Sequence, residues 1–415
     1  MNRIYVFLVF LGACGGAPPL ADPRGTAPPP APQSPAMIAD AQPAIAALRA
    51  SKFDEARQLA SQALTKDAHN SRAAVVRALA TYQASGHALI ASLTEVIDKG
   101  ETLRSLDHQA GRAAWVSFLG ALESVDRDLT IASADKEFSM ELCLACWEHD
   151  WNRNGRVDER DRKLFEIEVD DKGEELPDGD PRRHPTFRFD AGDIEWALAM
   201  VSFQRAAVEV VLGYGWSELD KLFAWNIFSK DKPAPITIKL IDKERISHAR
   251  ALILAGLYHA EACRELYLAE KDDDREWVPN PEQMSHPVPL PMDRTIYARW
   301  QGVLRDVRVL LTSEEGIPLR GIMGLADDRA AKLMPDAYID IGAMLSQPKD
   351  IVIDLGDLSE TTQNVEHVLR GVLGNGYKTA MTPSQLVMRL REMKADLERG
   401  SDTVDKKLRY LLWLN

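Results

Sequence analysis

The sequence predicts an all-α fold, a multi-helix bundle or solenoid-like body with little or no β-sheet. Apolar residues recur at helical spacing in three long stretches, 194-212, 244-268 and 294-311. Only the short run 350-355, centred on β-branched residues, predicts a strand, and that strand has no evident partner. The body behind the first 36 residues is longer than one hydrophobic core usually grows, so we expect two or three packed subdomains.

Other helices follow from spacing and capping signals along the chain. Two to three short amphipathic helices are expected between residues 40 and 85, and further helices at 106-125, 134-149 and 360-373. The last predicted helix runs from Pro383 to Arg399, because Thr382 is a favourable N-cap and proline suits the first helical position.

The first residues have the pattern of a bacterial lipoprotein signal. One basic residue and a short apolar run precede Leu11-Gly12-Ala13-Cys14, and the run is too short for a permanent membrane span. The ending resembles a lipobox, which implies cleavage before Cys14 and attachment of palmitate and other acyl chains there. Gly15 in place of aspartate favours the outer membrane over the inner one under the sorting pattern of enteric bacteria. Eight prolines in residues 15-36 predict an extended tether.

Residues 150-161 place oxygen-bearing side chains at the spacing of a calcium loop. The six ligand positions hold Asp150, Asn152, Asn154, Arg156 (through its carbonyl), Asp158 and Asp161. Gly155 lies at the sharp turn and Val157 at the apolar position where paired loops meet. The stretch resembles an EF-hand, and Asp161 in the last position is closer to dockerin-like loops. The sequence therefore predicts one structural Ca²⁺.

A second stretch repeats part of this pattern and suggests a partner loop. Arg188-Phe189-Asp190 and Asp193 match Arg156-Val157-Asp158 and Asp161, so we expect Phe189 to meet Val157 across the pair. A second, irregular ion site is left open as an alternative. Its candidate ligands are Asp178, Asp180, Asp190 and Asp193.

Residues 51-70 resemble the second half of a TPR motif, with Ala44 and Ala78 at the small positions of the neighbouring helices. The match covers about one and a half repeats, fewer than the three that a repeat array normally needs. A TPR-like unit and a plain helical hairpin both remain open.

Three cysteines besides Cys14 raise a choice between structural roles and a metal. Cys143 and Cys146 are three residues apart, and His259 and Cys263 lie on one face of a predicted helix. Buried thiols or a disulfide are favoured over a Cys₃His zinc site made by these four residues.

These observations divide the chain into six segments. They are the signal peptide (1-13), the lipidated cysteine and tether (14-36), an N-terminal TPR-like helical region (37-133), an EF-hand-like region (134-215), a helical core with a Pro-rich connector (216-293) and a C-terminal helical region (294-415).

Three functions fit the sequence, and one of them is a wholly structural lipoprotein. The favoured one is a lipid-anchored protein of the bacterial envelope that binds calcium structurally and contacts another envelope protein, with no catalytic residues. The alternative is an envelope enzyme with an interdomain site, for which His259, Cys263 and the Asp190/Asp193 region are candidates. Nucleic acid is excluded as a partner, since 50 basic residues face 63 acidic ones and no basic stripe is present.

Overall fold

The protein is mainly helical in the computed structural model. The structure describes residues 33-103, 105-147, 157, 166-170, 172-221, 234-273, 275-284, 286, 288, 292-326, 331-332, 334-354 and 362-398. Helices account for most of these residues, and the strands are short. The predicted helical class is therefore confirmed in its coarse form.

Four helices form the N-terminal layer. They are α1 (Pro35–Arg49), α2 (Phe53–Lys66), α3 (Ser71–Leu103) and α4 (His108–Ser133). Ser34 caps α1 by accepting a hydrogen bond from the Met37 amide at 3.2 Å. Neighbouring helices pack in sequence, and the alanines at the predicted small positions, Ala44 and Ala78, are buried between them. α3 is longer than expected and continues to Leu103.

Two long helices form the centre of the molecule: α5 (Ala191–Gly213) and α6 (Lys243–Ala269). α5 packs between α4 and α6, and this agrees with its continuous apolar sequence. α5 is also long and apolar enough to span a membrane, and 61% of its most apolar window is buried within the protein.

The segment 134-149 was predicted as a helix, and its described part is not one. Residues Ser139–Leu142 form strand β1, and Leu144–Cys146 form a 3₁₀ turn. Four apolar residues alternate with polar ones here, and all four are buried: Phe138, Met140, Leu142 and Leu144. This period of two favours an extended strand, and we overlooked it in favour of the neighbouring helical pattern.

β1 pairs in antiparallel fashion with β2 (Phe187–Asp190), and this pairing corrects the predicted loop pair. Phe189 lies opposite Met140, whereas Val157 takes part in no described β-bridge. The rings of Phe187 and Phe189 extend the same buried layer as the apolar residues of β1, so burial selects this register.

The C-terminal half combines further helices with small sheets. Its helices are α7 (Arg294–Leu310), α8 (Leu319–Ala326), α9 (Ile341–Ser346), α10 (Thr362–Leu373) and α11 (Leu386–Glu398). Its strands, with one from the preceding segment, are β3 (Ile236–Ile238), β4 (Glu315–Pro318), β5 (Tyr338–Ile339), β6 (Ile351–Ile353), β7 (Tyr377–Lys378) and β8 (Thr382–Pro383).

These strands make the expectation of little or no β-sheet wrong in detail. The predicted strand at 351-353 is present but pairs with β3, and the other four strands form a sheet in the order β7-β5-β4-β8. Thr382 and Pro383 belong to β8, beside β4, so the last helix begins at Leu386 and Thr382 is not its cap. No solenoid of repeated units is seen in the described part of the chain.

Candidate metal centre

A capping box of two aspartates starts α5. Asp190 Oδ1 accepts a hydrogen bond from the Gly192 amide at 2.7 Å, and Asp193 Oδ2 accepts one from the Asp190 amide at 2.9 Å. The spacing that made Asp190 and Asp193 candidate calcium ligands is thus also the spacing of an N-terminal cap. Each aspartate still has its second carboxylate oxygen directed elsewhere.

The second oxygen of Asp193 lies in the core against α6. Asp193 Oδ1 accepts a hydrogen bond from the Tyr267 hydroxyl at 2.7 Å, and both side chains are buried. A Cβ on Gly192 would lie 2.7 Å from the Tyr267 ring, so glycine is needed for this close approach. Burial, followed by the charge of Asp190, raises the pKa of Asp193 well above its usual range.

Three more carboxylates gather where α6 ends. Glu270 caps the helix, and Asp272 and Glu276 follow in the next loop; one oxygen from each lies within 4.8 Å of the others. Glu276 is buried, Glu270 is half-buried and Asp272 is exposed. Asp190 lies near enough to Glu270 to contribute to the raised pKa of Glu270, which relates this group to the capping box. We call Asp190, Asp193, Glu270, Asp272 and Glu276 the acidic cluster.

The exposed edge of the acidic cluster is joined to a cation. Arg188 Nη1 forms an ion pair with Asp272 Oδ2 at 2.5 Å. Burial raises the pKa of Glu270 to about 10, and the hydrogen bond and charge of Asp190 and the charge of Glu276 add to this shift. This raised pKa favours the protonated form of Glu270 at neutral pH.

Amide side chains hold the loop in place around Glu270. Asn280 Nδ2 donates to the carbonyl oxygens of Tyr267 and Glu270, both at 3.1 Å. Gln283 Nε2 donates to Glu270 Oε2 at 3.2 Å and to the Asp272 carbonyl at 2.8 Å. Carboxylates supply oxygen ligands of the kind that Ca²⁺ prefers. A divalent cation would also replace the proton on Glu270 as the compensating charge.

The other two aspartates of the predicted second site lie in separate interactions. Asp178 accepts from Arg183 Nη1 at 2.6 Å, and Asp180 caps a 3₁₀ turn and pairs with Arg182 at 2.7 Å. The Arg182 side chain and amide lower the pKa of Asp180 to about 2. Among the described residues, the group that could hold a metal is Glu270, Asp272 and Glu276, and it contains none of the four aspartates predicted for the second site.

The predicted calcium loop, residues 150-161, lies outside the described residues, apart from Val157. The same holds for Cys14 and the rest of the signal segment. Calcium binding at Asp150, Asn152, Asn154, Arg156, Asp158 and Asp161, and lipidation at Cys14, therefore stay predictions.

The cysteines do not form the zinc site considered above. Cys143 and Cys146 are joined in a disulfide, whereas Cys263 is a free thiol buried in α6. Burial and the charge of Asp193 raise the pKa of Cys263, which keeps the thiol protonated. His259 instead shares a buried hydrogen bond of 2.7 Å with Glu195. A disulfide was among the alternatives, but not this pairing within the turn 143-146.

The candidate enzyme residues are also placed by these contacts. His259 and Cys263 are buried between α5 and α6, and the protonated thiol is a poor nucleophile. Neither lines the groove between α2, α3 and α4 or the apolar cavity between α3, α4 and α5.

Sequence reasoning missed Glu270 and Glu276. The available signal was the density of acids, from Glu270 to Glu276, directly after a long apolar helix whose end packs in the core.

Comparisons with family models, with curated proteins and with solved structures found no match for this chain.

Proposed function

We propose that this protein is a lipid-anchored component of the bacterial cell envelope, on the outer membrane, in which calcium stabilises a helical body that contacts another envelope protein. The observation that carries the proposal is the group of Glu270, Asp272 and Glu276, which each have a carboxylate oxygen within 4.8 Å of the others. A second line of support is the calcium-loop pattern of residues 150-161 in the sequence.

Calcium acts here as a structural ligand. An ion that binds only the folded state stabilises it by RT ln(1 + [Ca²⁺]/Kd), about 1 to 3 kcal/mol at a 10- to 100-fold excess over Kd. In the acidic cluster the ion would tie the start of α5 to the end of α6, because Asp190 and Glu270 come from these two elements. Calcium would thereby fix the two central helices against each other.

The calcium part is tested by thermal unfolding of the full-length chain, purified in detergent and stripped of metal with a chelator. We expect Ca²⁺ to raise Tm by several degrees and Mg²⁺ to raise it much less, because Mg²⁺ demands a tighter, octahedral site. Equal melting curves with and without Ca²⁺ would refute this part of the proposal.

The anchor is tested separately by fractionation of cells. Labelled palmitate should enter the wild-type chain and leave the Cys14→Ala variant unlabelled, and the variant should appear in the soluble fraction. A Cys14→Ala chain that stays in the membrane would contradict the lipid anchor without bearing on calcium.

A further inference from the structure

A polar groove crosses the N-terminal helical layer. α3 forms its floor, and α2 and α4 form its walls, enclosing a volume of about 870 Å³. The groove is distinct from the acidic cluster, which lies where α5 begins and α6 ends. Its size falls within the range of about 300 to 1,000 Å³ typical of ligand sites.

Three arginines give the groove a positive bias in a protein whose net charge is -13. Arg57 lies on the α2 wall, Arg77 on the floor and Arg127 on the α4 wall. Two aspartates, Asp54 and Asp128, also line it, so the lining charges add to +3 - 2 = +1. The groove is therefore a positive exception on an acidic chain.

One of these arginines is fixed from below. Arg77 Nε and Nη2 donate to the two carboxylate oxygens of the buried Asp128, at 2.8 and 2.5 Å. This bidentate pair fixes the guanidinium plane and raises the pKa of Arg77. Arg77 Nη1 makes no hydrogen bond within the described part of the chain, and the side chain is 31% exposed. An oriented donor thus faces the groove.

The other two arginines are exposed and only locally held. Arg57 pairs with Asp54, whose side chain is 87% exposed, and Arg127 donates to Ser124 Oγ at 2.8 Å. Such surface contacts are weak and exchange readily for a ligand carboxylate. The guanidinium groups of Arg57 and Arg127 can therefore rotate towards a peptide bound in the groove.

Neutral groups between the arginines suit a peptide backbone. Gln58 and Gln62 stand one helical turn apart on α2 and line the same groove. Each amide offers both a donor and an acceptor, as a peptide group does. Spaced amides beside guanidinium groups match an extended chain with acidic side chains. A long polyanion would meet the repulsion of the acidic protein as a whole.

We infer that the groove of α2, α3 and α4 binds a short acidic peptide segment of a partner protein. Arg57, Arg77 and Arg127 receive its carboxylates, and Gln58 and Gln62 receive its backbone. This inference rests on the interaction role proposed above and names the chemistry of the partner. It is independent of calcium, whose candidate ligands lie elsewhere.

Selection from a display library of random dodecapeptides tests the inference. The full-length protein in detergent is the bait, and a labelled copy of the most enriched peptide is then titrated by fluorescence anisotropy. We expect enriched sequences rich in Asp and Glu, bound more weakly as salt rises. Loss of the two wall arginines, Arg57→Gln with Arg127→Gln, should weaken binding by about tenfold or more, because each removes a charge-assisted contact.

Arg391→Gln is the matched control, since Arg391 is an exposed helical arginine on α11, outside the groove. It should leave peptide affinity unchanged. Enrichment of basic or apolar peptides, or acidic peptides that bind the double variant as tightly as the wild type, would overturn the inference. If the peptide test fails while Ca²⁺ still raises Tm, the peptide-binding role of the groove is refuted and the calcium part of the proposed function stands.

Discussion

Buried and half-buried carboxylates occur in two settings among the described residues, and the settings differ in the groups that surround the carboxylate. Asp128 on α4 accepts hydrogen bonds from Nε and Nη2 of Arg77 on α3, and Asp306 on α7 pairs with Arg389 at 2.9 Å and with Arg305 at 3.1 Å. The acidic cluster instead places Asp190, Glu270 and their neighbours against each other. The negative charge of a carboxylate beside arginine is balanced by the protein itself. A carboxylate beside other carboxylates needs a proton or a bound cation to balance its charge.

The paired setting should show the largest effect on stability. Arg77→Leu leaves Asp128 buried without its cation, and we expect the free energy of unfolding to fall by about 3 kcal/mol. Urea unfolding followed by circular dichroism measures the change. Lys99→Leu breaks the fully exposed pair with Glu95 and should have no measurable effect. A loss for Arg77→Leu no larger than that for Lys99→Leu would remove the distinction between buried and surface pairs.

The acidic cluster should show itself as a pH dependence. Glu270 has its pKa raised from 4.5 to about 10 on folding, so its contribution to stability is present below about pH 4.5 and lost as the pH rises towards 10. Without calcium we expect the free energy of unfolding to fall by on the order of 1 to 2 kcal/mol between about pH 5.5 and 8.5. This lies below the limit of about 1.4 kcal/mol per pH unit for one proton, because Glu270 is partly solvated.

Glu270→Gln should flatten that decline, because glutamine keeps the shape and cannot ionise. Glu282→Gln is the control, since Glu282 is an exposed carboxylate on the same loop, paired with Arg294. Urea unfolding at a series of pH values measures both variants. If Glu270→Gln leaves the pH dependence of the free energy of unfolding as in the wild type while Glu282→Gln changes it, then the ionisation of Glu270 is not the cause of that dependence.

The smallest effect is expected from the geometry that holds the acidic cluster. Gly192→Ala pushes a methyl group against the Tyr267 ring, 2.7 Å away, and should destabilise the fold by about 1 kcal/mol. Gly120→Ala is the control, because Gly120 lies within helix α4 and a Cβ there meets nothing within 4 Å. Thermal unfolding compares the two. Gly192→Ala should also weaken calcium binding, since it displaces Asp193 from Tyr267. An unchanged calcium affinity would show that Asp193 takes no part in binding the metal.

The sequence made the long helices accessible to prediction, because periodic apolar residues were enough to place α5, α6 and α7 within a few residues. It was less informative where short elements depend on a distant partner. β1 pairs with β2 some fifty residues later, and β8 pairs with β4, so the spacing of nearby residues predicts neither pairing. Asp190 and Asp193 were found because their spacing is local. Glu270 and Glu276 join them only through the packing of α6 on α5, and single-sequence reasoning does not contain that contact.

The most direct measurement for the calcium account is a calorimetric titration of the metal-free, full-length protein with Ca²⁺, repeated on two variants. One variant is Asp150→Ala with Asp158→Ala in the predicted loop, and the other is Glu270→Gln in the acidic cluster. We predict two ions for the wild type and loss of one ion in each variant. Binding at the acidic cluster should release protons from Glu270, seen as a heat that depends on the ionisation enthalpy of the buffer. A wild-type protein that binds no calcium, or that binds it equally well in both variants, would contradict the account.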